Sequence, residues 1–391
     1  MQVITIVFLL LAASVWFLTA FFAVEVTAGL RPLPAVELLP ALIPDAVIVV
    51  PARNEAAVIG ETVTMLTKAK SEKMKLLVVA DNCSDQTAEL ARLAGAEVIE
   101  RNDPERRGKG YALAFAVEAL RSAPPSVLLV VDADCTIDGT SLEHLAAAAF
   151  ASNRPCQSVN LLRALPEGSP MVQISSFAFM LKNLVRQRGL QRLSGRIHLT
   201  GTGMAIPFGL LPFTALASAS IVEDLSLGLD LAQQGFPPRL VVDALVLSSP
   251  ASQNDTLVQR RRWEGGFLAT SLRRGPKLAF DGVRSCDYRT LLAGIDLMVP
   301  PLTLLILVNV AILTFAFVMA LFGLSLAPLA FGLLSLAFAA CAITLAWYRE
   351  GRALLDASVL LRVPQYLVWK IPLYLSLGRR GAPKEWLRTR R

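Results

Sequence analysis

The sequence predicts a water-soluble α/β domain joined to membrane helices, and two observations favour this architecture. First, the 391-residue chain is 54% hydrophobic with a mean hydropathy of +0.53, yet residues 1–24 and 297–348 contain no charged residue. The rest of the chain is therefore about as charged as an ordinary soluble domain. Second, apolar β-rich runs alternate with helical stretches between Pro44 and Tyr288. This alternation is typical of a parallel sheet covered on both faces.

The uncharged segments are long enough to cross a bilayer. Residues 2–24 exceed the roughly 20 residues that a spanning helix needs, and no Lys or Arg precedes them. A membrane anchor is therefore favoured over a cleaved signal peptide, which begins with a basic region. Residues 297–348 suffice for two helices with a break near Gly323–Pro328. Residues 353–377 are apolar but interrupted by charges and prolines, which favours an interfacial helix over a fourth span.

The net charge of +7 is concentrated in one segment. Residues 349–391 contain 10 Lys and Arg against 3 Asp and Glu, so the preceding 348 residues are neutral overall. A nucleic-acid-binding protein would carry its basic surplus on the folded domain, so nucleic acid is not an expected partner. A basic tail after the last apolar run instead predicts contact with membrane lipids. Five cysteines and two histidines without zinc-site spacing give no indication of a zinc site.

Three spans place the central domain and the basic tail on the same side of the membrane. The positive-inside rule predicts that this side is the cytoplasm and that the N-terminus lies outside. The chain is then an integral membrane protein with four predicted regions. These are a transmembrane helix (1–24), a cytoplasmic domain (44–288), two transmembrane helices (292–348), and interfacial helices with a basic tail (353–391).

Acidic and polar residues follow three of the predicted strands. The predicted strands are Ala46–Val50, Leu76–Ala80, Ala96–Ile99 and Val127–Val131, and the predicted helices are Ala56–Lys70, Thr87–Leu93 and Tyr111–Arg121. Pro51–Glu55 follows the first strand, Asp81–Asp85 the second, and Asp132-Ala133-Asp134 the fourth. Ligands of such sheets bind at the carboxyl ends of the strands, and carboxylates there suit Mg²⁺ or Mn²⁺ bridging to phosphate. Acidic pairs after strands are also ordinary turn residues, so this motif alone is weak.

Three further motifs each have a structural alternative. Arg107–Gly110 precedes a helix and could meet a diphosphate, or be a solvated basic loop. Val222–Leu225 could supply a functional acid, or acids that only stabilise a helix N-terminus. Gln259–Trp263 could bind phosphate, or anchor a helix at a membrane interface. A P-loop is absent from the sequence, and Gly201–Gly203 lacks the third glycine of a dinucleotide-binding fingerprint.

Taken in order, these motifs resemble those of the membrane-embedded family 2 glycosyltransferases. That family includes cellulose, hyaluronan, chitin-oligosaccharide and poly-N-acetylglucosamine synthases and the ceramide glucosyltransferases. The resemblance runs from about Ala46 to Trp263, and its most specific part is the Gln259–Trp263 element after Glu223-Asp224. It implies a GT-A fold, that is, a Rossmann-like domain inserted between transmembrane helices.

The resemblance also implies roles on the donor side of the site. Asp81 would read the nucleobase of a nucleoside diphosphate sugar, in a pocket lined by Pro51, Arg53 and Glu55. Lys109 would meet the diphosphate. The donor is expected to be a UDP-sugar first, or another nucleotide sugar.

Further roles follow for the remaining motif residues. Asp132 would contact ribose or the donor sugar, Asp134 would coordinate Mg²⁺ or Mn²⁺, and Asp224 would be the catalytic base. The leaving diphosphate and the acceptor would be held by Gln259, Arg262 and Trp263. A single carboxylate base opposite the leaving group implies an inverting displacement. The Gly201–Ile206 stretch lies where the family has an acceptor-side loop, and no role is assigned to its individual residues.

The acceptor remains open between two classes. The chain could build a saccharide for an exopolysaccharide or envelope glycan, or transfer a single sugar to a lipid. Val222 stands where processive synthases often have Thr, and three spans are few for a polymer channel, which favours limited or assisted extension. A non-catalytic membrane scaffold is the remote alternative. A transporter is disfavoured because residues 297–348 hold no ionisable group.

Overall fold

The structure is a computed structural model that describes residues 2–35, 43–163, 168–211, 216–217, 222–249 and 253–381. The chain forms two compact units, each assembled from separate stretches of sequence. We call them the helical unit (Met1–Pro32, Ala164–Ser194 and Phe267–Ala382) and the sheet unit (Leu33–Arg163, Gly195–Gly266 and Pro383–Arg391).

The sheet unit is built on a mixed sheet of eight strands in the order β3-β2-β1-β4-β7-β6-β8-β5. In chain order the strands β1 to β8 are Ala46–Ala52, Met74–Asp81, Glu97–Arg101, Val127–Val130, Cys135–Ile137, Cys156–Leu162, Met204–Pro207 and Arg239–Ser248. The four strands predicted from the sequence are confirmed, and they pair in parallel. The sheet becomes mixed beyond them, because β7 runs antiparallel to β4 and β6, and β5 antiparallel to β8.

Both faces of the sheet are buried, as its continuous apolar strands predict. Successive side chains of a strand point to opposite faces. On one face Ile48 and Val50 pack in a cluster with the helix Ile59–Ala69 and the helix Gly139–Ser152. On the other face Val47 and Val49 pack against the helix Lys109–Ala119. The core therefore fixes β1 between two helical layers, with its carboxyl end free to carry a loop.

The helices of the sheet unit begin close to where the sequence predicts. Numbered in chain order, α2 to α5 are Ile59–Ala69, Thr87–Leu93, Lys109–Ala119 and Gly139–Ser152, and α8 is Glu223–Gln233. The prediction that α2 starts at Ala56 is wrong by three residues. The Ala56 N–H is instead bound by Asp85 Oδ2 at 3.2 Å, and the Glu55 N–H by Thr87 Oγ1 at 2.8 Å. These contacts hold residues 53–58 as a loop over the carboxyl edge.

The helical unit contains the segments suited to a membrane. Its first helix, α1, is Gln2–Gly29, and the later helices α6, α7, α10, α11, α12 and α13 are Pro170–Met180, Gln187–Ser194, Tyr288–Met298, Leu302–Leu321, Ala327–Ala346 and Val363–Arg380. A π-helical segment, Leu181–Arg186, joins α6 to α7, and α9, Gln253–Arg284, contributes residues to both units.

Three helices in the described part of the chain are long and apolar enough to cross a membrane, namely Thr5–Gly29, Leu302–Leu321 and Ala327–Gly351. The predicted break near Gly323–Pro328 is confirmed. The first helix continues five residues past the predicted end at residue 24, and includes Glu25. Its carboxylate is tolerated there because Arg186 Nε donates to Glu25 Oε2 at 2.6 Å.

The segment predicted to be interfacial is helical. It comprises a 3₁₀ turn, Ala357–Arg362, followed by α13. Leu361, Val368 and Leu375 are exposed, whereas Lys370 is buried. An apolar face exposed along such a helix agrees with an interfacial position, which stays a prediction. The last residues of the predicted basic tail, 382–391, lie outside the described residues.

Candidate active site

The candidate site lies at the carboxyl edge of the parallel strands. Asp81 is the last residue of β2, and Asp132 and Asp134 follow β4. Because β2, β1 and β4 are neighbours in the sheet, their ends bring the loops that follow them to the same edge. Pro51 lies within β1, paired with Val79 of β2. The sequence-predicted clustering of these loops is thus present in the structure.

Asp81 is a buried carboxylate held by an arginine. Its Oδ1 accepts hydrogen bonds from Arg101 Nη1 at 2.7 Å and from Asn82 Nδ2 at 2.9 Å. Its Oδ2 is buried and has no hydrogen-bond partner among the described residues. Burial raises the pKa of Asp81 above its ordinary value, although the charges of Arg101 and Arg53 oppose that rise. A buried acceptor oxygen of this kind fits a site for an N–H donor.

Arg101 is a site residue that the sequence reasoning missed. It ends β3, donates to Asp81 and to Asp103 Oδ2 at 2.9 Å, and reaches the Arg106 carbonyl at 2.7 Å. It therefore connects two strand ends to the loop before α4. The available signal was its position, since an arginine at the end of the strand beside β2 must lie near Asp81 in a parallel sheet.

The loops around Asp81 hold one another in place. Asp85 Oδ1 accepts from the Thr87 N–H at 3.0 Å, and its other oxygen binds the Ala56 N–H. Asn54 Oδ1 accepts from the Ser84 N–H at 2.7 Å. Asp85 therefore helps to fix the loop that follows β1, residues 53–58. Arg53 lies near enough for its charge to act on Asp81.

Lys109 connects two parts of the site from the first residue of α4. Its Nζ donates to Asp132 Oδ1 and, at 2.6 Å, to the carbonyl of Gly201. Burial by itself would lower the pKa of Lys109, but the nearby carboxylates of Asp132, Glu223 and Asp224 outweigh it and raise that pKa. Lys109 therefore remains a cation at neutral pH, bonded to Asp132 and near the acids of a second segment, Glu223 and Asp224.

Asp224, in the first turn of α8, lies beside the loop that precedes β7. Gly201 has φ +87°, and a Cβ added to it would lie 3.0 Å from Asp224 Oδ2 and 3.5 Å from Lys109 Nζ. A residue with a side chain is disfavoured there both by the backbone angle and by the space. The Thr202 hydroxyl next to it accepts from the Asp132 N–H at 3.0 Å. Asp132 and Asp224 thus flank one loop.

Glu223 and Asp224 begin α8, as the sequence predicts. Burial and the adjacent charge of Asp224 raise the pKa of Glu223 to about 8. Glu223 is therefore largely protonated at neutral pH, so that the first turn of α8 does not present two full negative charges.

Asp132, Asp134 and Cys135 form a donor set for a metal ion. Their ligand atoms all lie within 4.8 Å of one another. The Cys135 thiol contacts Asp134 Oδ1 at 3.4 Å and Ser248 Oγ at 3.1 Å. Burial, with the charges of Asp134 and Asp132, raises the pKa of this thiol, so it stays protonated. Two carboxylates beside a neutral thiol fit Mg²⁺ or Mn²⁺, which prefer oxygen ligands.

The arginine motif lies on α9. The charge of Arg262 acts on Asp132, which places the guanidinium near the acidic cluster. Gln259 and Arg260 are buried, and the Arg260 guanidinium lies 5.4 Å from the centre of the Trp263 ring. Of the predicted site residues, the structure therefore brings together Lys109, Asp132, Asp134, Asp224 and Arg262. Asp81 and Arg53 form a second group at the neighbouring strand end.

Comparison with known proteins identifies the family. Residues 44–266, more than half of the chain, match the family model described as glycosyltransferase-like family 2. The chain belongs to this family. The matched residues include every motif residue discussed above, from Pro51 to Trp263.

Two curated relatives match over shorter stretches. The low-salt glycan biosynthesis hexosyltransferase Agl6 of Haloferax volcanii is 37% identical over 105 residues, which are 26% of this chain and 24% of that protein. Glycosyltransferase AglD of the same organism is 33% identical over 106 residues, which are 25% of this chain and 16% of that protein. The chain thus spans a quarter or less of the length of these two relatives.

A solved structure matches over nearly the whole chain. Mannosyltransferase PcManGT from Pyrobaculum calidifontis, in complex with GDP-Man and Mn²⁺, aligns with 96% of this chain and 99% of its own, with a TM-score of 0.56 and 15% identity. A likeness at this identity concerns the fold alone. It confirms the GT-A fold that the sequence predicts for the family 2 domain.

Proposed function

We propose that the chain is an inverting, metal-dependent glycosyltransferase that moves a sugar from a nucleoside diphosphate sugar to a saccharide or lipid-linked acceptor at the cytoplasmic face of a membrane. The observation that supports this most is the convergence of Lys109, Asp132 and Asp224 beside Gly201. These residues come from three distant segments. Because the chain belongs to a glycosyltransferase family, we infer that sugar transfer takes place where they meet.

The donor nucleotide would bind along the carboxyl edge. Asp81 Oδ2, buried and with no hydrogen-bond partner among the described residues, would accept an N–H of the nucleobase. Arg101 holds the other oxygen and so fixes the orientation of the carboxylate. With Oδ1 engaged in this way, the remaining acceptor suits a base that presents one N–H, which supports a UDP-sugar as the first donor to try.

The diphosphate would lie near Asp134. Asp132 and Asp134 would hold Mg²⁺ or Mn²⁺, whose charge would offset the negative charge that grows on the leaving diphosphate. Arg262 would add a fixed guanidinium, which binds phosphate oxygens through its planar fork. Both interactions strengthen as the glycosidic bond breaks, and this is the condition for lowering the barrier.

Asp224 would take the proton of the acceptor hydroxyl. Its carboxylate faces the Gly201 loop and lies close to Lys109. A base on the side opposite the leaving group gives a single displacement with inversion at the anomeric carbon. The charge of Asp224 contributes to the raised pKa of its neighbour Glu223.

The membrane segments bear on the acceptor. Three candidate spans and the surplus of basic residues after them support a cytoplasmic catalytic domain with the N-terminus outside. A growing envelope or exopolysaccharide glycan and a lipid that receives one sugar are both compatible with this placement. Labelled donor distinguishes them: a ladder of products indicates chain building, and one lipid-extractable product indicates single transfer.

The central experiment screens the purified full chain against a panel of UDP- and GDP-sugars with Mn²⁺, and detects the released nucleoside diphosphate. With the active donor, Asp134→Ala and Asp224→Asn are expected to lower transfer by at least about 10²-fold while the protein stays folded. Asp230→Asn, a carboxylate-to-amide change on the same helix as Asp224, is the matched control and should retain activity.

Two outcomes would contradict the proposal. Full activity of both Asp134→Ala and Asp224→Asn would contradict the proposed mechanism, although the chain would still belong to the family. No metal-dependent binding of any nucleotide sugar, measured by calorimetry on the folded protein, would instead favour the non-catalytic scaffold.

A further inference from the structure

The Thr200–Gly203 loop is where three parts of the candidate site meet. The Gly201 carbonyl accepts from Lys109 Nζ at 2.6 Å, and the Thr202 hydroxyl accepts from the Asp132 N–H at 3.0 Å. Gly201 also lies beside the carboxylate of Asp224. The position of this loop therefore sets the distances among the lysine, the donor-side acid and the proposed base.

The loop lies outside the regular strand pairing, and its backbone bond to β6 is at its end, where the Ser158 N–H donates to the Gly203 carbonyl at 2.8 Å. Gly201 and Gly203 have φ of +87° and +63°, so the chain turns twice within four residues. Gly201, Thr202 and Gly203 are nevertheless buried, and their peptide groups need hydrogen-bond partners inside the protein. The strand β7 begins only after them, at Met204.

One side chain supplies most of those partners. Gln157, on β6 and 1% exposed, donates from Nε2 to the Thr202 carbonyl at 2.7 Å and to the Gly203 carbonyl at 3.2 Å. Its Oε1 accepts from the Thr200 N–H at 2.9 Å. Both ends of one amide are thus used on one loop. Asn160, two residues further along β6, adds a bond to the Thr200 hydroxyl at 3.2 Å.

We propose that Gln157 is a positioning residue for sugar transfer. It holds the Thr200–Gly203 loop so that Lys109, Asp132 and Asp224 keep their mutual distances. Among the described residues, its side chain bonds to the loop and to the adjacent Ser158 carbonyl, so its effect on the reaction passes through the loop. The inference rests on the proposed function, because it concerns the rate of that reaction.

The size of the effect follows from the geometry. A displacement of about 1 Å in a catalytic constellation can lower the rate by about 10²-fold. Gln157→Glu introduces such a displacement, because a carboxylate cannot donate to the Thr202 and Gly203 carbonyls and places oxygen against oxygen. Gln157→Met removes all the hydrogen bonds with a side chain of similar length. Gln234→Glu, at an exposed position, is the matched control.

A purely structural role predicts a different result. If Gln157 only satisfied buried peptide groups, its loss would lower the melting temperature but not the turnover of the molecules that remain folded. The measurements are therefore kcat and donor KM per folded molecule, with the folded fraction taken from circular dichroism. We expect kcat of Gln157→Glu to fall by about 10²-fold, a much larger factor than any rise in the donor KM, because the nucleobase pocket at Asp81 lies at another strand end.

A double-variant cycle tests the route through the loop. If Gln157 acts by placing Lys109 and its partners, then Gln157→Glu should cost at least tenfold less in a Lys109→Met background than in the parent protein. If the two residues acted independently, the fold-loss in rate of the double variant would equal the product of the two single fold-losses. Should neither Gln157 variant fold, Thr202→Val probes the same loop by removing only the hydroxyl that binds the Asp132 N–H, and a loss of about tenfold in kcat is expected.

The outcomes separate this inference from the proposed function. A parent protein that turns over no nucleotide sugar overturns both. An active parent, with folded Gln157 variants that keep kcat within twofold of Gln234→Glu, overturns the positioning role alone. A double variant whose fold-loss in kcat equals the product of the Gln157→Glu and Lys109→Met losses also overturns it. A fall in kcat without a matching rise in KM, reduced in the Lys109→Met background, supports it.

Discussion

Each unit of the protein contains a buried or half-buried cation, bonded to one carboxylate in the sheet unit and to two in the helical unit, and the two clusters differ in what surrounds them. In the sheet unit, Lys109 binds Asp132, whose side chain is 36% exposed. In the helical unit, Arg186 binds Glu25 and Asp296 at 2.6 Å each, and those carboxylates are 0% and 3% exposed. The first cluster is open to a ligand, and the second is closed.

The comparison shows that an ion pair alone does not identify a functional site. The helical-unit cluster joins three helical segments through one guanidinium, whose two donors match two carboxylates. Its carboxylates are buried and its guanidinium is only 11% exposed, so we expect it to serve stability. The sheet-unit cluster leaves one partner accessible beside a metal donor set, so it can change partners when a ligand binds. Four predictions test this distinction.

The largest effect is expected from Arg186→Met. Removing the guanidinium breaks the ion pairs of two buried carboxylates, Glu25 and Asp296, which destabilises the folded state by about 3–5 kcal/mol. Thermal unfolding in detergent should show a large fall in melting temperature, with donor turnover per folded molecule unchanged. Arg273→Met, an exposed arginine of the same unit, is the control and should leave the melting temperature within experimental error.

Lys109→Met should show the opposite behaviour. Loss of a cation held against the reacting groups is expected to lower kcat/KM by about 10²–10³-fold. The melting temperature should change little, because Asp132 can be solvated once the lysine is gone. Lys68→Met, on the exposed surface of α2, should retain full activity. A variant that unfolded readily yet kept its turnover would reverse the roles assigned to the two clusters.

A third prediction concerns the pH dependence of stability. The pKa of Glu223 is raised to about 8 in the folded chain, so between about pH 5 and pH 8 the folded state binds more protons than the unfolded state. The contribution of Glu223 to stability therefore falls as the pH rises through this window, by up to about 1.4 kcal/mol per pH unit, and is constant above it. Melting temperatures measured with a chelator present would show this fall.

Glu223→Gln should remove that part of the slope. The control is Glu72→Gln, which changes an exposed glutamate in the same unit. Equal slopes for Glu223→Gln and the parent protein would mean that Glu223 titrates normally in the folded chain.

The smallest effect is expected from Asn309→Leu. Asn309 Nδ2 donates to Thr19 Oγ1 at 3.0 Å, and Ser335 Oγ donates to Asn309 Oδ1, so three candidate membrane helices share one polar contact. Such bonds contribute about 0.6 kcal/mol on average and rarely more than about 1.7 kcal/mol. Thr19 also bonds its own helix at 2.8 Å, which limits the loss. A fall in melting temperature as large as that of Arg186→Met would contradict this.

Much of the fold could be predicted from the sequence because its signals are local. Continuous apolar strands followed by loop residues gave β1 to β4, and uncharged stretches gave the spanning helices. The antiparallel strands could not be predicted in this way. β7 is only four residues long, and its place between β4 and β6 depends on contacts far apart in sequence.

The residues of the candidate site also divide into those that local sequence signals predict and those that depend on distant contacts. Acids at strand ends were found from their position, but Arg101 and Gln157 were not. Each acts through a partner distant in the chain: Arg101 pairs with Asp81 from the next strand, and Gln157 binds a loop more than forty residues away. A buried glutamine in a strand resembles any satisfied core residue until its partners are known. Glu25, likewise, could be placed inside a spanning helix only once Arg186 was located.

Binding of Mn²⁺ by electron paramagnetic resonance, with UDP and GDP each present in turn, tests the central claim most directly. The claim is that Asp132 and Asp134 form one metal site completed by a nucleoside diphosphate. The full chain should bind one Mn²⁺ tightly with one of the two nucleotides, and Asp134→Ala should lose that binding while remaining folded. Equal Mn²⁺ binding by parent and variant, or none by either with any nucleotide, would contradict it.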